Sequence, residues 1–190
     1  MRRAAIWINR KLKRGKAFEA NKINGLLAVS LDANEQFCSD HRCCADCLRR
    51  EVTGKEAQGK EFPQTQYYPK QVYAQLSGSA LSVILDFEPM RPGEEECATA
   101  LRLLRRMRQR YGRRFFDLVV VDSWYPNGPF LKTVAAELGW AVIAGLKQQR
   151  YEIHQEVLAL TRGQKPTGPV ARDGRQREIW DVPSLRLSDT

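Results

Sequence analysis

The amino-acid sequence predicts an α/β fold in which a mixed sheet is flanked by helices. Two apolar runs, residues 26–31 and 118–121, are each followed directly by an aspartate, Asp32 and Asp122. Such runs, valine-rich in the second case, are typical of buried strands because β-branched side chains pack well on a pleated surface. Ligands of open α/β sheets bind beyond the carboxyl ends of strands, so both aspartates are candidate site residues. The alternative for either is a turn former or helix cap.

Length and charge narrow the classes of function. The 190 residues are enough for one domain with a sizeable core, or for one domain with tails. The net charge of +9 and the pI near 9.5 suggest a polyanionic partner such as nucleic acid, although a soluble basic protein without such a partner is the alternative. No apolar run is long enough to span a bilayer, and the basic N-terminus lacks the apolar stretch of a signal peptide. We therefore expect no membrane partner and a cytoplasmic location.

Residues 1–22 are predicted to form a basic helical segment. The mixture of cationic and apolar residues suits a helix that lies on a core or on a nucleic-acid backbone, and equally a helix with a solvated face. The basic residues are Arg2, Arg3, Arg10, Lys11, Lys13, Arg14, Lys16 and Lys22.

Four of the five cysteines fall within residues 37–50, after the first predicted strand. Cys38, His41, Cys44 and Cys47 recur every three residues, and thiolates with imidazole are ligands that zinc prefers. The paired motif that completes a zinc knuckle is missing. The alternatives are a zinc site and reduced cysteines packed in a loop, and both fit better than a disulfide framework.

The next segments predict a loop, a hairpin and a helix. Residues 53–65 are polar and contain glycine and proline, which favours a loop, whereas residues 67–76 and 80–87 favour an antiparallel hairpin. Asp86 and Glu88 end the second strand of this hairpin, where either could be a further metal ligand or could simply close the strand.

Residues 94–111 are the clearest predicted helix, opened by three glutamates and rich in arginine toward its end. We expect an arginine-rich outer face that contacts phosphates or solvent. The apolar positions expected to face the sheet are Ala98, Leu101, Leu104 and Met107.

The last part of the chain predicts smaller elements. After the central strand we expect a turn, a short helix over residues 130–138, a strand over 141–146 and a helix over 151–160. From Arg162 onward the chain is rich in glycine, proline and arginine, with one strand-like fragment at residues 178–182.

The predicted order of elements is that of a ribonuclease H-like domain, and the chain resembles the catalytic domain of bacterial DDE insertion-sequence transposases. The resemblance covers roughly residues 10–160, and its segments are LLAVSLDANE, CADCLRR, ALSVILDFEPMRPGEEE, FFDLVVVDSWY and AVIAGLK. It implies a basic N-terminal segment over residues 1–22, a partial catalytic domain over residues 23–160, and the start of an incomplete insertion or a tail over residues 161–190.

The resemblance also implies metal-dependent cleavage and transfer of DNA strands at transposon ends. In such enzymes acidic side chains hold two divalent ions, Mg²⁺ or Mn²⁺, because hard cations prefer oxygen ligands. Asp32 matches the first aspartate and Asp122 the second. The third acid is a glutamate on a helix after the last strand, usually preceded by tyrosine and arginine at fixed spacing, and that pattern is missing here. Glu156 is the candidate, although it is more simply a surface residue, so we expect an incomplete triad and slow or absent cleavage.

Two functions other than that of a transposase domain are also considered. One is a non-catalytic relic that binds nucleic acid through its basic surface alone. The other, a small-molecule α/β enzyme, is disfavoured because no glycine-rich phosphate loop follows a strand. The sequence leaves open whether the protein acts on DNA as a homodimer.

Overall fold

The computed structural model describes residues 2–55, 61–78, 80–146, 152–172 and 175–182. The chain divides into two compact units, Met1–Ala144 and Gly145–Thr190. The first unit contains α1 (Arg2–Arg14), β1 (Ala28–Glu35), β2 (Leu48–Lys55), β3 (Glu61–Tyr68), β4 (Lys70–Leu76), β5 (Ile84–Pro89), α2 (Glu96–Tyr111), β6 (Leu118–Val121), α3 (Gly128–Lys132) and β7 (Ala141–Ala144). The second contains α4 (Glu152–Thr161), β8 (Gly168–Arg172) and β9 (Arg175–Ile179).

The centre of the first unit is a five-stranded mixed sheet with the strand order β5-β4-β1-β6-β7. β1, β6 and β7 run parallel to one another, whereas β4 pairs antiparallel with both β1 and β5. Helices flank the sheet, so the predicted α/β class with a mixed sheet is confirmed. The predicted hairpin is confirmed as β4 and β5.

The core forms where α2 packs against the sheet. Val29 of β1, Val72 of β4 and Val119 of β6 have no exposed surface, because they lie on the face of the sheet that α2 covers. Phe116 and Trp140 stack at the start of β6 and β7, with ring centroids 4.2 Å apart. Burial of these side chains places β1 and β6 side by side in a rigid part of the fold.

Helix α2 faces the sheet with a different stripe from the predicted one. Leu104 and Met107 are buried as expected, but Ala98 is exposed, and Ala100 and Leu103 are buried in its place. Residues 100, 103, 104 and 107 have the i, i+3, i+4, i+7 spacing of a single helix face. The predicted positions recur every three residues and so drift around the helix, whereas the buried positions alternate spacings of three and four.

Strands β2 and β3 form a separate two-stranded antiparallel ribbon, and the predicted loop over residues 53–65 is therefore wrong. The register runs from Leu48 opposite Tyr68 to Lys55 opposite Glu61. Polar residues and Pro63 hide the alternation that marks a strand, because neither face of this ribbon is buried in the main core. Residues 56–60 lie outside the described residues.

The second unit consists of α4 and a hairpin of β8 and β9. α4 matches the predicted helix over residues 151–160, of which Tyr151 lies outside the described residues. The predicted strand-like fragment at 178–182 overlaps only the end of β9, and its partner β8 was not predicted. No helix within the described residues is both long and apolar enough to cross a membrane.

Candidate active site

Asp32 and Asp122 lie at the same level on neighbouring parallel strands. The last paired residues of β1 and β6 are Ser30 and Val120, and each aspartate lies two residues further along its strand. Asp32 is still within β1, whereas Asp122 follows β6 directly. Both side chains are exposed. The fold thus brings the two sequence-predicted aspartates to one edge of the sheet, which we call the carboxyl edge.

Backbone groups orient both carboxylates. The N–H of Ala33 donates to Oδ1 of Asp32 at 2.8 Å, and the N–H of Trp124 donates to Oδ1 of Asp122 at 2.9 Å. The second bond forms a turn in which an Asp side chain accepts from the backbone two residues on, so Asp122 has the turn-forming role that was the alternative. In the described part of the chain, no hydrogen bond reaches Oδ2 of either aspartate. These oxygens can therefore bind a ligand.

The loop after Asp122 is held by a hydrogen-bonded chain that the sequence did not predict. Tyr125 is 1% exposed, and its hydroxyl donates to Oε1 of Glu96 at 2.5 Å. Lys70 Nζ lies 2.7 Å from Oε2 of the same carboxylate. Burial raises the pKa of Tyr125, and the neighbouring Glu96 raises it further, so the phenol remains a protonated donor. At the other end of the loop, Asn127 caps α3 by accepting from the N–H of Phe130 at 2.8 Å.

Acidic side chains surround the Cys97 thiol at the start of α2. Burial is the largest cause that raises the pKa of the Cys97 thiol, and a hydrogen bond from Asn127 opposes it. The charges of Glu96, Glu95 and Asp122 raise this pKa further. The Cys97 thiol thus lies near acids of both α2 and the loop after β6, and Lys70 balances the charge of Glu96.

Asp86 and Glu88 are not available as ligands, because they form buried ion pairs with α2. Arg106 Nε lies 3.0 Å from Oδ2 of Asp86, and Arg102 Nε lies 2.8 Å from Oε1 of Glu88. Arg106 also pairs with Glu88. The side chains of Asp86 and Glu88 are only 4% and 10% exposed. The expected solvated or phosphate-binding face of α2 is therefore wrong for Arg102 and Arg106, since both side chains turn toward β5.

Glu156, the candidate third acid, lies on α4 in the second unit and has an exposed side chain. Its role stays a prediction. Among the described residues, no group of three or more His, Cys, Asp or Glu side chains lies close enough to hold a metal ion. Magnesium is commonly bound by one or two carboxylates together with substrate phosphates and water. Asp32 and Asp122 fit this requirement as oxygen ligands at an exposed edge.

The cysteine segment differs from both sequence expectations. Cys44 and Cys47 form a disulfide, so the expectation of reduced thiols is wrong for this pair, and neither is a free zinc ligand. Cys38 and Cys43 are free and exposed. A spacing of three residues places two thiols on one turn, with Cα atoms 5.0 Å apart, which suits metal chelation and disulfide formation alike. The sequence could not separate the two outcomes.

The chain was compared with models of known protein families, with curated proteins and with solved structures, and none of the three comparisons gave a match. The function is therefore inferred from the geometry and chemistry of the site.

Proposed function

We propose that the first unit is a ribonuclease H-like catalytic domain of a DDE transposase, acting on phosphodiester bonds of DNA. One observation carries the proposal: Asp32 and Asp122 end up level with each other on adjacent parallel strands, exposed and oriented by backbone N–H groups. Paired carboxylates in this position are suited to bind a divalent cation next to a phosphate.

The strand order supports the proposed fold. A first strand, β1, has an antiparallel hairpin on one side and two parallel strands, each reached through a helix, on the other. This arrangement is compatible with a ribonuclease H-like sheet. Under this proposal, the β2–β3 ribbon is an insertion between the first strand and the hairpin, and Arg50 of the ribbon pairs with Glu35 at the end of β1.

Asp32 and Asp122 would hold Mg²⁺ or Mn²⁺. When bound, such ions activate an attacking water or 3′-hydroxyl and stabilise the leaving oxygen of a phosphodiester. The protein's contribution is to fix the ligands: the N–H of Trp124 orients Asp122, and the hydrogen bond from Tyr125 to Glu96 anchors the loop behind it. Two carboxylates hold a cation more weakly than three, so we expect slow cleavage from this pair alone.

A plasmid-nicking assay tests the proposal. Supercoiled DNA is incubated with Mg²⁺ or Mn²⁺ and with the wild-type chain, Asp32→Asn, Asp122→Asn, or the control Asp46→Asn, which alters an exposed aspartate outside the pair. We expect both pair variants to nick at least about 100-fold more slowly, equivalent to about 3 kcal/mol of lost charge stabilisation, and the control to match wild type. Equal nicking by all four chains would contradict the proposal.

The second candidate function is metal-independent binding of nucleic acid by a catalytically silent domain. The observation that favours it is the lack, among the described residues, of a third acidic ligand grouped with the pair. In the same assay this function predicts no nicking by any of the four chains while DNA binding persists.

A further inference from the structure

A basic cleft lies at the end of the sheet opposite the aspartate pair. It has a volume of about 590 Å³ and is formed by the last turns of α1 together with the segment between α2 and β6. Its lining residues are Arg10, Lys13, Arg14, Tyr111, Arg114 and Phe115. We call this group the amino-edge cleft.

The cleft is separated from the carboxyl edge by the length of β6. Arg114 and Phe115 precede β6, whereas Asp122 follows it. At about 3.3 Å per residue, Leu118 and Asp122 are about 13 Å apart along the strand. A group bound in the cleft therefore cannot be the group held by Asp122.

Two of the cations hold the cleft together. Lys13 Nζ donates to the carbonyl of Arg114 at 2.7 Å and to that of Phe115, and lies 5.0 Å from the centre of the Phe115 ring. Arg10 donates to the backbone carbonyl of Arg110. These bonds fix α1 against the segment before β6, so the cleft is preformed.

The other two cations are available to a ligand. The side chains of Arg14 and Arg114 are exposed, and no hydrogen bond or ion pair from either is found in the described part of the chain. Nη1 of the neighbouring Arg110 is buried and likewise lacks a hydrogen-bond partner there. Two carboxylates near Lys13 have partners of their own: Asp117 accepts from the N–H of Leu27 at 2.8 Å, and Glu19 lies 2.8 Å from Lys22 Nζ. The cleft thus presents unpaired guanidinium groups.

We propose that the amino-edge cleft binds backbone phosphates of a nucleic acid, outside the reacting phosphodiester and without a metal ion. Guanidinium groups match phosphate oxygens through paired hydrogen bonds. The aromatic rings in the wall, Tyr111 and Phe115, are 8% and 5% exposed, so they cannot stack on bases. The cleft therefore contacts the backbone and carries no base specificity. That the nucleic acid is DNA rests on the proposed function.

The test measures binding of a fluorescently labelled DNA duplex to the full chain. Fluorescence anisotropy gives the affinity, in EDTA, over a range of salt concentrations. The variants are Arg14→Ala, Arg114→Ala and the double substitution. The matched control is Arg105→Ala, which removes an exposed arginine of α2 whose side chain lies 3.4 Å from Glu137, away from the cleft. Circular dichroism confirms that each variant is folded.

We expect each of the two single variants to bind DNA about tenfold more weakly near physiological salt. The slope of log affinity against log salt should fall in magnitude by about 1 for each arginine removed. The control should change affinity by less than about twofold. Equal weakening by Arg105→Ala, or an unchanged salt slope in the double variant, would overturn the proposal. Because EDTA excludes nicking, loss of binding in the cleft variants supports the cleft even if the nicking assay fails.

Discussion

Two pairs of acids on the central sheet have opposite surroundings. Asp86 and Glu88, on β5, are nearly buried and pair with Arg102 and Arg106 of α2. Asp32, within β1, and Asp122, directly after β6, are exposed and accept only from nearby backbone N–H groups among the described residues.

The contrast separates acids that hold the fold from acids that are free to act on a ligand. A buried charge is tolerated only with a partner, so Asp86 and Glu88 depend on their arginines and are important for stability. An exposed carboxylate that lacks an ion pair contributes little to stability, so its placement level with a second carboxylate on the neighbouring strand points to binding.

The largest effect is expected for Arg106→Ala. The substitution leaves Asp86 without its guanidinium partner in a site where the side chain is 4% exposed, so the free energy of unfolding should fall by about 3–5 kcal/mol. Urea denaturation measures the change. Arg105→Ala, which removes an exposed arginine one position earlier, should cost less than about 1 kcal/mol. Similar losses in the two variants would erase the distinction between buried and exposed pairs.

A smaller effect is expected for Tyr125→Phe, in the loop that follows Asp122. Removing the hydroxyl leaves Oε1 of Glu96 without its donor while the contact with Lys70 remains, so the free energy of unfolding should fall by about 1–2 kcal/mol. If the loop also positions Asp122, the nicking rate will fall more than the fraction of folded protein. A change in stability with an unaltered nicking rate would limit Tyr125 to a structural role.

The pH dependence of stability gives a third test. Burial, the largest influence, raises the pKa of Glu94, but hydrogen bonds from Arg102 and from the backbone of Arg91 outweigh it, and the pKa is lowered overall. A carboxylate with a lowered pKa in the folded state stabilises the protein above its ordinary pKa of 4.5, and this contribution is lost as the pH falls through the folded value. Below pH 4.5, the decline in unfolding free energy should be shallower in Glu94→Gln than in wild type. Parallel curves would show that Glu94 is not coupled to Arg102.

The smallest effect on stability is expected for Asp122→Asn. The amide oxygen of asparagine can still accept from the N–H of Trp124, so the free energy of unfolding should change by less than about 0.5 kcal/mol. Thermal denaturation of this variant beside wild type measures it. A loss of several kcal/mol would place Asp122 with the structural acids of β5.

The sequence was sufficient to predict the positions of β1 and β6, because buried strands leave a continuous apolar run. Asp122 follows β6 as predicted, but Asp32 does not end β1, because pairing with β4 continues the strand to Glu35. It was insufficient for the β2–β3 ribbon, whose stability comes from pairing between the two strands and not from an apolar face. The sequence also could not predict which face of α2 packs on the sheet. That face is set by tertiary contacts such as the one between Arg106 and Asp86, which are 20 residues apart in the chain. Because that contact is not visible in the sequence, Asp86 was a candidate metal ligand, whereas in the structure it pairs with Arg106.

The central claim, that Asp32 and Asp122 together hold a divalent cation, is tested most directly by nuclear magnetic resonance of the isotope-labelled chain during titration with Mn²⁺. Paramagnetic broadening detects weak binding and locates it. We predict that the backbone amide signals of Ala33 and Trp124 broaden at the lowest Mn²⁺ concentrations, while those of Arg14 and Arg114 stay unaffected. This broadening should be lost in Asp32→Asn and in Asp122→Asn. Broadening that persists unchanged in both variants, or that appears first elsewhere in the first unit, would contradict it.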